Sequence, residues 1–164
     1  LGPPKDPQQR DQRIMEMALR EASKAGARNE IPVGAVVVRG NQVLGRAGNS
    51  VEQLKDATAH AEMLALTQAF EAVGEKRLKD AELFCTLEPC LQCAGALLHA
   101  RVARVGYGAA DPKFGGVESL VRIFELRGLN HQIRAEGGLF AEESAQMLQA
   151  FFRSKRVRKK GEQV

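Results

Sequence analysis

Two short segments of the chain carry side chains that could bind a metal ion and use it. Cys90 and Cys93 are three residues apart, and the apolar pattern after Pro89 predicts that they lie at the start of a helix. Residues three apart share a helical face, so both sulfur atoms can point to one side, where the helix dipole favours thiolates. Together with His60 they form a set of two sulfurs and one imidazole that suits one Zn²⁺ ion per chain.

Glu62 lies two residues after His60 and decides which kind of zinc site the pattern predicts. Three protein ligands leave one position of a tetrahedral zinc ion open to water, whose pKa falls to about 7. Side chains two positions apart do not share a helical face, so those of His60 and Glu62 can converge only where a helix begins. A structural zinc site has no use for such a carboxylate, whereas a hydrolytic site uses it to move protons. We therefore predict that Glu62 is the catalytic acid and base beside the ligands His60, Cys90 and Cys93.

A fourth protein ligand would close the site and make it structural, so the remaining cysteine and histidines matter. His99 lies six residues beyond Cys93, a rise of about 9 Å along a helix, and is too far away to share the ion. Cys85 lies on an apolar strand and is predicted to be a core residue. His131 precedes a weak strand, and the sequence leaves it open as a ligand.

The elements that must position these groups alternate between strand and helix. Asp11 is predicted to be the N-cap of a first helix that ends at Gly26, and Gly40 and Asn41 predict a hairpin turn. We predict strands at 34–39, 42–46, 81–87, 102–107 and 132–135, and helices at 59–73, 90–100 and from 139 onwards. Residues 108–120 are predicted to be a loop, and Phe152 is predicted to pack in the core. This order predicts an α/β fold, a three-layer α/β/α domain with a mixed five-stranded sheet.

Length, composition and charge limit the classes of protein. A chain of 164 residues with 44% hydrophobic and 27% charged residues is typical of one globular domain, placed at 11–156 after a flexible leader, 1–10. The sequence has no apolar run of about 18 residues, so no membrane span is expected. Three cysteines are too few for a disulfide framework and favour a reducing compartment, the cytoplasm. Residues 153–164 hold six Lys or Arg and one Glu, so we expect this end, with a basic tail at 157–164, to meet a polyanion.

The two segments resemble a known enzyme family. His60-Ala61-Glu62 and Pro89-Cys90-Leu91-Gln92-Cys93 match the H-x-E and P-C-x-x-C signature of zinc-dependent nucleobase deaminases. Over roughly residues 11–156 the chain resembles, more narrowly, the tRNA-specific adenosine deaminases of the cytidine deaminase superfamily. The narrower resemblance depends on Pro32-Val33-Gly34-Ala35, Thr58-Ala59, Leu87-Glu88, Cys93-Ala94-Gly95-Ala96 and the loop Gly108-Ala109-Ala110-Asp111-Pro112-Lys113.

The resemblance implies a cytidine-deaminase-like fold, a homodimer and hydrolytic deamination of adenosine to inosine at the wobble position of a tRNA anticodon. It implies that Asn49 contacts the target nucleoside and that Asp111 and Lys113 lie beside the bound anticodon stem-loop. It also implies a terminal helix in which Arg153, Lys155 and Arg156 contact the RNA phosphates.

Two alternatives remain at this stage. A deaminase of a free base or nucleotide, of the guanine or cytosine type, would share every zinc residue. A non-catalytic zinc module that binds RNA would share the ligands and the basic end, but would have no use for Glu62. The loop around Asp111 and the basic end of the chain favour the tRNA enzyme over the first alternative.

Overall fold

A computed structural model of the chain describes residues 6–162, which form a mixed five-stranded sheet with helices on both faces. The predicted α/β/α layering is therefore confirmed. The helices and strands in chain order are α1 (Pro7–Ala27), β1 (Gly34–Arg39), β2 (Gln42–Gly48), α2 (Val51–Leu54), α3 (Ala61–Val73), β3 (Ala81–Leu87), α4 (Leu91–Ala100), β4 (Arg104–Ala109), β5 (Arg134–Glu136) and α5 (Ala141–Gly161). A single 3₁₀ turn, Ile123–Glu125, lies between β4 and β5.

The sheet has the strand order β2-β1-β3-β4-β5. β1 pairs antiparallel with both β2 and β3, whereas β3, β4 and β5 are parallel. The β1–β2 hairpin turns at Gly40, as predicted, and Gly40 has a φ of 58°, a conformation that favours glycine. The parallel half of the sheet needs crossover connections, and α4 supplies the one between β3 and β4.

Alternation along the central strands divides the core into two layers. On one face, Val36, Val38 and Phe84 pack against Ile14 and Met15 of α1. On the other face, α3 and α4 cover a larger cluster, which includes Ala35, Val37, Leu83, Cys85, Ala65, Leu66, Ala94 and Leu97. The central strands are buried on both faces, so they contain continuous apolar runs and few polar residues.

The first helix starts earlier than predicted. Its N-cap is Asp6, whose side chain accepts a hydrogen bond from the backbone N–H of Gln8, and Pro7 occupies the first turn, where proline is favoured. The prediction that Asp11 is the cap is wrong, because Asp11 lies inside the helix and pairs with Arg104. Residues 7–10 of the predicted flexible leader are helical, and residues 1–5 lie outside the described part of the chain.

Other differences lie near the ends of elements. β2, β4 and β5 each extend one or two residues beyond their predicted ends. α5 continues to Gly161, so most of the predicted basic tail is helical, while residues 163–164 lie outside the described residues. The core position of Phe152 is also wrong: its side chain is 45% exposed on α5. Within residues 6–162, no helix combines the length and the apolar character that crossing a membrane requires.

Candidate active site

The first turns of α3 and α4 bring the three predicted ligands together. His60 is the N-cap residue of α3, Cys90 is the N-cap residue of α4, and Cys93 lies in the first turn of α4. The Sγ atoms of both cysteines lie 3.5 Å from Nδ1 of His60. All three potential ligand atoms lie within 4.8 Å of one another.

These distances fit a tetrahedral zinc ion. With usual Zn–S and Zn–N bond lengths and a tetrahedral angle, a sulfur and a nitrogen ligand lie about 3.5 Å apart. No fourth His, Cys, Asp or Glu side chain of residues 6–162 joins the group. The structure does not support His131 as a ligand, because its Nε2 lies 2.7 Å from the carbonyl oxygen of Val102. The group can therefore hold a metal ion and leave one position open.

The protein alone already favours one thiolate in this group. A hydrogen bond with Cys93, followed by one with His60, lowers the pKa of Cys90 to about 4. The contact with Cys90 raises the pKa of both His60 and Cys93. A metal ion needs both sulfurs deprotonated, so its binding has to displace the proton of Cys93 and should weaken at low pH.

Glu62 lies beside the three ligand side chains, in the first turn of α3, and is almost completely buried. Its Oε1 accepts a hydrogen bond from the Cys85 thiol at 3.1 Å, and its Oε2 lies 3.4 Å from Sγ of Cys93. Burial raises its pKa, against the smaller opposing effect of Cys85. A buried carboxyl group with a raised pKa can both accept and return a proton near neutral pH. The prediction that Cys85 is a core residue is confirmed, and this contact is an additional feature that the sequence did not indicate.

Two more buried carboxylates hold the loops around the site. Glu30 accepts hydrogen bonds from the backbone N–H groups of Glu52 and Gln53, at 3.1 and 2.7 Å, and so fixes the start of α2. Glu88 accepts several such bonds from residues 111–119. Sequence reasoning missed the role of Glu88, because its partners lie more than 20 residues away and no local pattern marks them.

Asn49 and Asp111 lie in the loops that these carboxylates hold. Asn49 is buried directly after β2, and the N–H of Ser50 donates to the carbonyl of Ala59, beside His60. Asp111 Oδ1 accepts hydrogen bonds from the N–H groups of Lys113 and Phe114, so this side chain also shapes its own turn.

The structure brings Lys113 next to the basic residues of α5, which are about 40 positions away in the sequence. Together they line a groove with a volume of about 700 Å³, which we call the basic groove. Its lining residues are Lys113, Leu148, Gln149, Phe152, Arg153, Lys155, Arg156 and Lys159. Phe152 and Phe114 are both exposed nearby, and the ammonium group of Lys155 lies 5.4 Å from the ring centre of Phe151. Cations interleaved with exposed aromatic rings are typical of surfaces that bind single-stranded nucleic acid.

Comparisons with known proteins agree with this geometry. The model of the MafB19-like deaminase family matches residues 9–156. A tRNA-specific adenosine deaminase of Agrobacterium fabrum is 49% identical over 144 residues, which cover 88% of this chain and 95% of the relative. A solved structure from a study of A-to-I editing by tRNA:A34 deaminases at the wobble position of transfer RNA is 48% identical. It has a TM-score of 0.80 and covers 83% of this chain and 99% of that one.

The fold extends to more distant enzymes. The structure of a guanine deaminase from Nitrosomonas europaea has a TM-score of 0.71 and 21% identity, with coverage of 89% of this chain and 84% of that chain. At this identity the likeness shows the fold alone, so it carries no information about the substrate of this chain.

We expect Cys90→Ser to lose the metal ion and to lower stability, because the remaining sulfur and imidazole cannot form the site. With free zinc at 100 times its dissociation constant, binding stabilises the native state by about 2.7 kcal/mol, and the variant should lose this contribution. Bound zinc measured by mass spectrometry, and thermal unfolding with and without a chelator, test this. Cys85→Ser and His131→Ala are the matched controls; loss of zinc from either would contradict the three-ligand assignment.

Proposed function

The chain belongs to the tRNA-specific adenosine deaminases of the MafB19-like deaminase family, and we propose that it deaminates the wobble adenosine of a tRNA anticodon to inosine. One observation carries the proposal: a group of His60, Cys90 and Cys93 with a buried carboxylate beside it, in a chain that also has a basic groove. The first feature supports hydrolytic deamination, and the second supports a nucleic-acid substrate.

We propose that His60, Cys90 and Cys93 hold one Zn²⁺ ion and that Glu62 moves the protons. The ion would lower the pKa of a bound water molecule and so supply a nucleophile near neutral pH for attack at C6 of adenine. Glu62 lies where it can take the proton of that water, because its Oε2 is 3.4 Å from the ligand atom of Cys93. Glu62 would return that proton to N1 of the ring, and would then pass the proton of the new hydroxyl group at C6 to the amino group, which leaves as ammonia.

The reaction needs an adenine base that has left its stack, and an anticodon loop supplies unstacked bases at little cost. We propose that Asn49 contacts the target nucleoside, since this buried residue lies next to the segment that leads to His60. Asp111 Oδ1 is used within its own loop, which leaves Oδ2 for a contact with the RNA.

The basic groove is the part of the proposal that separates tRNA from a free base. Lys113, Arg153, Lys155 and Arg156 place four cations on one concave surface. A free base carries no phosphate, so an enzyme acting on it would gain nothing from this surface. RNA phosphates, in contrast, bind such side chains by releasing counterions.

We also propose that the chain acts as a homodimer in the cytoplasm. Leu91, Leu120 and Val121 are exposed apolar side chains close to the bridge between Cys90 and Gly115, where a second copy could cover them. The cytoplasm is the compartment of tRNA, and its reducing conditions suit free cysteines.

We expect the wild-type chain to produce inosine in an anticodon stem-loop with adenosine at the wobble position. Glu62→Ala should keep its zinc but lose deamination by a factor of about 10² to 10⁴, because Glu62 is not a ligand and moves protons only. Mass spectrometry of the digested RNA measures the product, and metal analysis of the same sample measures the zinc.

Free adenosine, guanine and cytosine serve as comparison substrates in the same assay. Turnover of these alone would support a free-base deaminase and reject the tRNA assignment. Full activity in Glu62→Ala, or loss of its zinc, would reject the role of Glu62. A wild-type chain that binds zinc and RNA but never forms inosine would favour the non-catalytic module.

We expect the triple variant Arg153→Gln, Lys155→Gln, Arg156→Gln to bind the stem-loop more weakly and with less dependence on salt. Each lost phosphate contact on a single strand lowers the slope of log affinity against log salt by about 0.7, so three contacts lower it by about 2. Titrations at several salt concentrations measure the slope. The control, Lys76→Gln with Arg77→Gln, removes exposed cations outside the groove and should leave the slope unchanged; an equal effect there would count against the groove.

A further inference from the structure

Glu88 is a buried carboxylate for which the proposed reaction has no use. Only 2% of the residue is exposed. Its Oε1 accepts hydrogen bonds from the N–H of Asp111, at 3.2 Å, and from the hydroxyl of Ser119. Its Oε2 accepts from the N–H groups of Val117, Glu118 and Ser119, at 3.2, 2.9 and 3.0 Å. The carboxylate therefore collects donors from both ends of one loop.

The loop has little other internal structure to hold it. Residues 110–120 contain no helix and no strand of the sheet. The loop's internal backbone bonds are turns, such as those from Gly115 N–H to the Asp111 carbonyl and from Leu120 N–H to the Gly115 carbonyl. Two further contacts lead to the segment that follows β3: Gly116 N–H donates to the Pro89 carbonyl, and Gly115 forms a bridge with Cys90. The segment from Glu88 to Cys90 is thus the surface against which the loop folds.

The loop packs closely against the carboxylate of Glu88. A Cβ atom on Gly115 would lie 2.2 Å from Oε2 of Glu88, so the close approach of the loop requires glycine at that position. A buried carboxylate is costly unless its oxygens are satisfied, and here four N–H groups and one hydroxyl satisfy them. Glu88 makes no salt bridge with any Lys, Arg or His of residues 6–162. The hydrogen bonds from the loop therefore compensate for the burial of its charge.

We propose that Glu88 is a positioning residue for RNA specificity, which fixes the loop that carries Asp111 and Lys113 relative to the metal ligand Cys90. The inference rests on the proposed function, because it assigns the loop a role in binding the anticodon. Glu88 contacts neither the predicted ligands nor the groove directly. It acts through hydrogen bonds to the loop, and one residue, Pro89, separates it from Cys90 in the chain.

The variant Glu88→Gln tests this inference. The amide is nearly the same shape, but its NH₂ group would face backbone N–H donors that need an acceptor. We expect KM for the anticodon stem-loop to rise at least about tenfold, with a smaller change in kcat and the full zinc content. Amide hydrogen exchange should become faster within 111–119.

A double-mutant cycle with Asp111→Ala distinguishes positioning from general damage. If Glu88 acts through the loop, Glu88→Gln should add little to the loss already caused by Asp111→Ala. Additive losses, or an unchanged KM in Glu88→Gln, would overturn the inference. The control Glu82→Gln alters a partly buried carboxylate on β3 that pairs with Arg104, and it should leave KM unchanged.

Ser119→Ala keeps the test decisive if Glu88→Gln does not fold. It removes only the hydroxyl donor to Oε1, so a smaller rise in KM is expected, again not additive with Asp111→Ala. An unchanged KM in Ser119→Ala would then overturn the inference. Failure of the wild-type chain to act on the stem-loop rejects the proposed function, whereas hydrogen exchange still reports whether Glu88 holds the loop.

Discussion

The first turns of α3 and α4 have to lie next to each other, and the rest of the site depends on that constraint. A sulfur and an imidazole can share an ion only within a few ångströms, yet His60 and Cys90 are 30 residues apart. The sheet solves the problem: α3 and α4 cover the same face, and β1 and β3, which carry the centre of that face, are adjacent strands. Pro89 follows the end of β3, so α4 starts directly beyond the C-terminal end of this central strand.

Burial alone does not decide what a carboxylate does in this protein. Glu62 and Glu88 are both almost completely enclosed, but their pKa values move in opposite directions. Burial dominates for Glu62, whose neighbours are thiols that help the charged form little, and its pKa rises. Burial also penalises the charge on Glu88, but the backbone N–H of Glu118 and the donors of Ser119 and Asp111 outweigh it and lower the pKa. One glutamate is thus suited to exchange protons and the other to hold a loop.

Local spacing was enough to predict most of the sheet and the central residues of the site. His60, Glu62, Cys90 and Cys93 lie within two or three positions of a partner, and a helix start forces such neighbours together. Choices between similar local signals were less secure. Asp6 and Asp11 are both good cap residues, but Asp6 precedes Pro7 and caps the helix, whereas Asp11 pairs with Arg104.

Features that depend on long-range contacts could not be predicted from local spacing. Phe152 has the helical periodicity of a core residue, but it is exposed, and among the described residues of α5 Ser144 alone is buried. The loop partners of Glu88 and the meeting of Lys113 with α5 join segments that no periodicity connects.

The arrangement separates the proposed chemistry from the proposed recognition. Glu62, Cys85 and Cys93 are enclosed between α3, α4 and β3, where the fold permits little change without a cavity or an unpaired polar group. The basic groove and the loop at 111–119 lie at the surface, on segments that follow β4 and β5. A substitution in either segment can therefore alter the proposed recognition without touching the proposed metal ligands. In this chain Glu88 lies at the boundary, since its backbone leads directly into Cys90 and its side chain holds the loop.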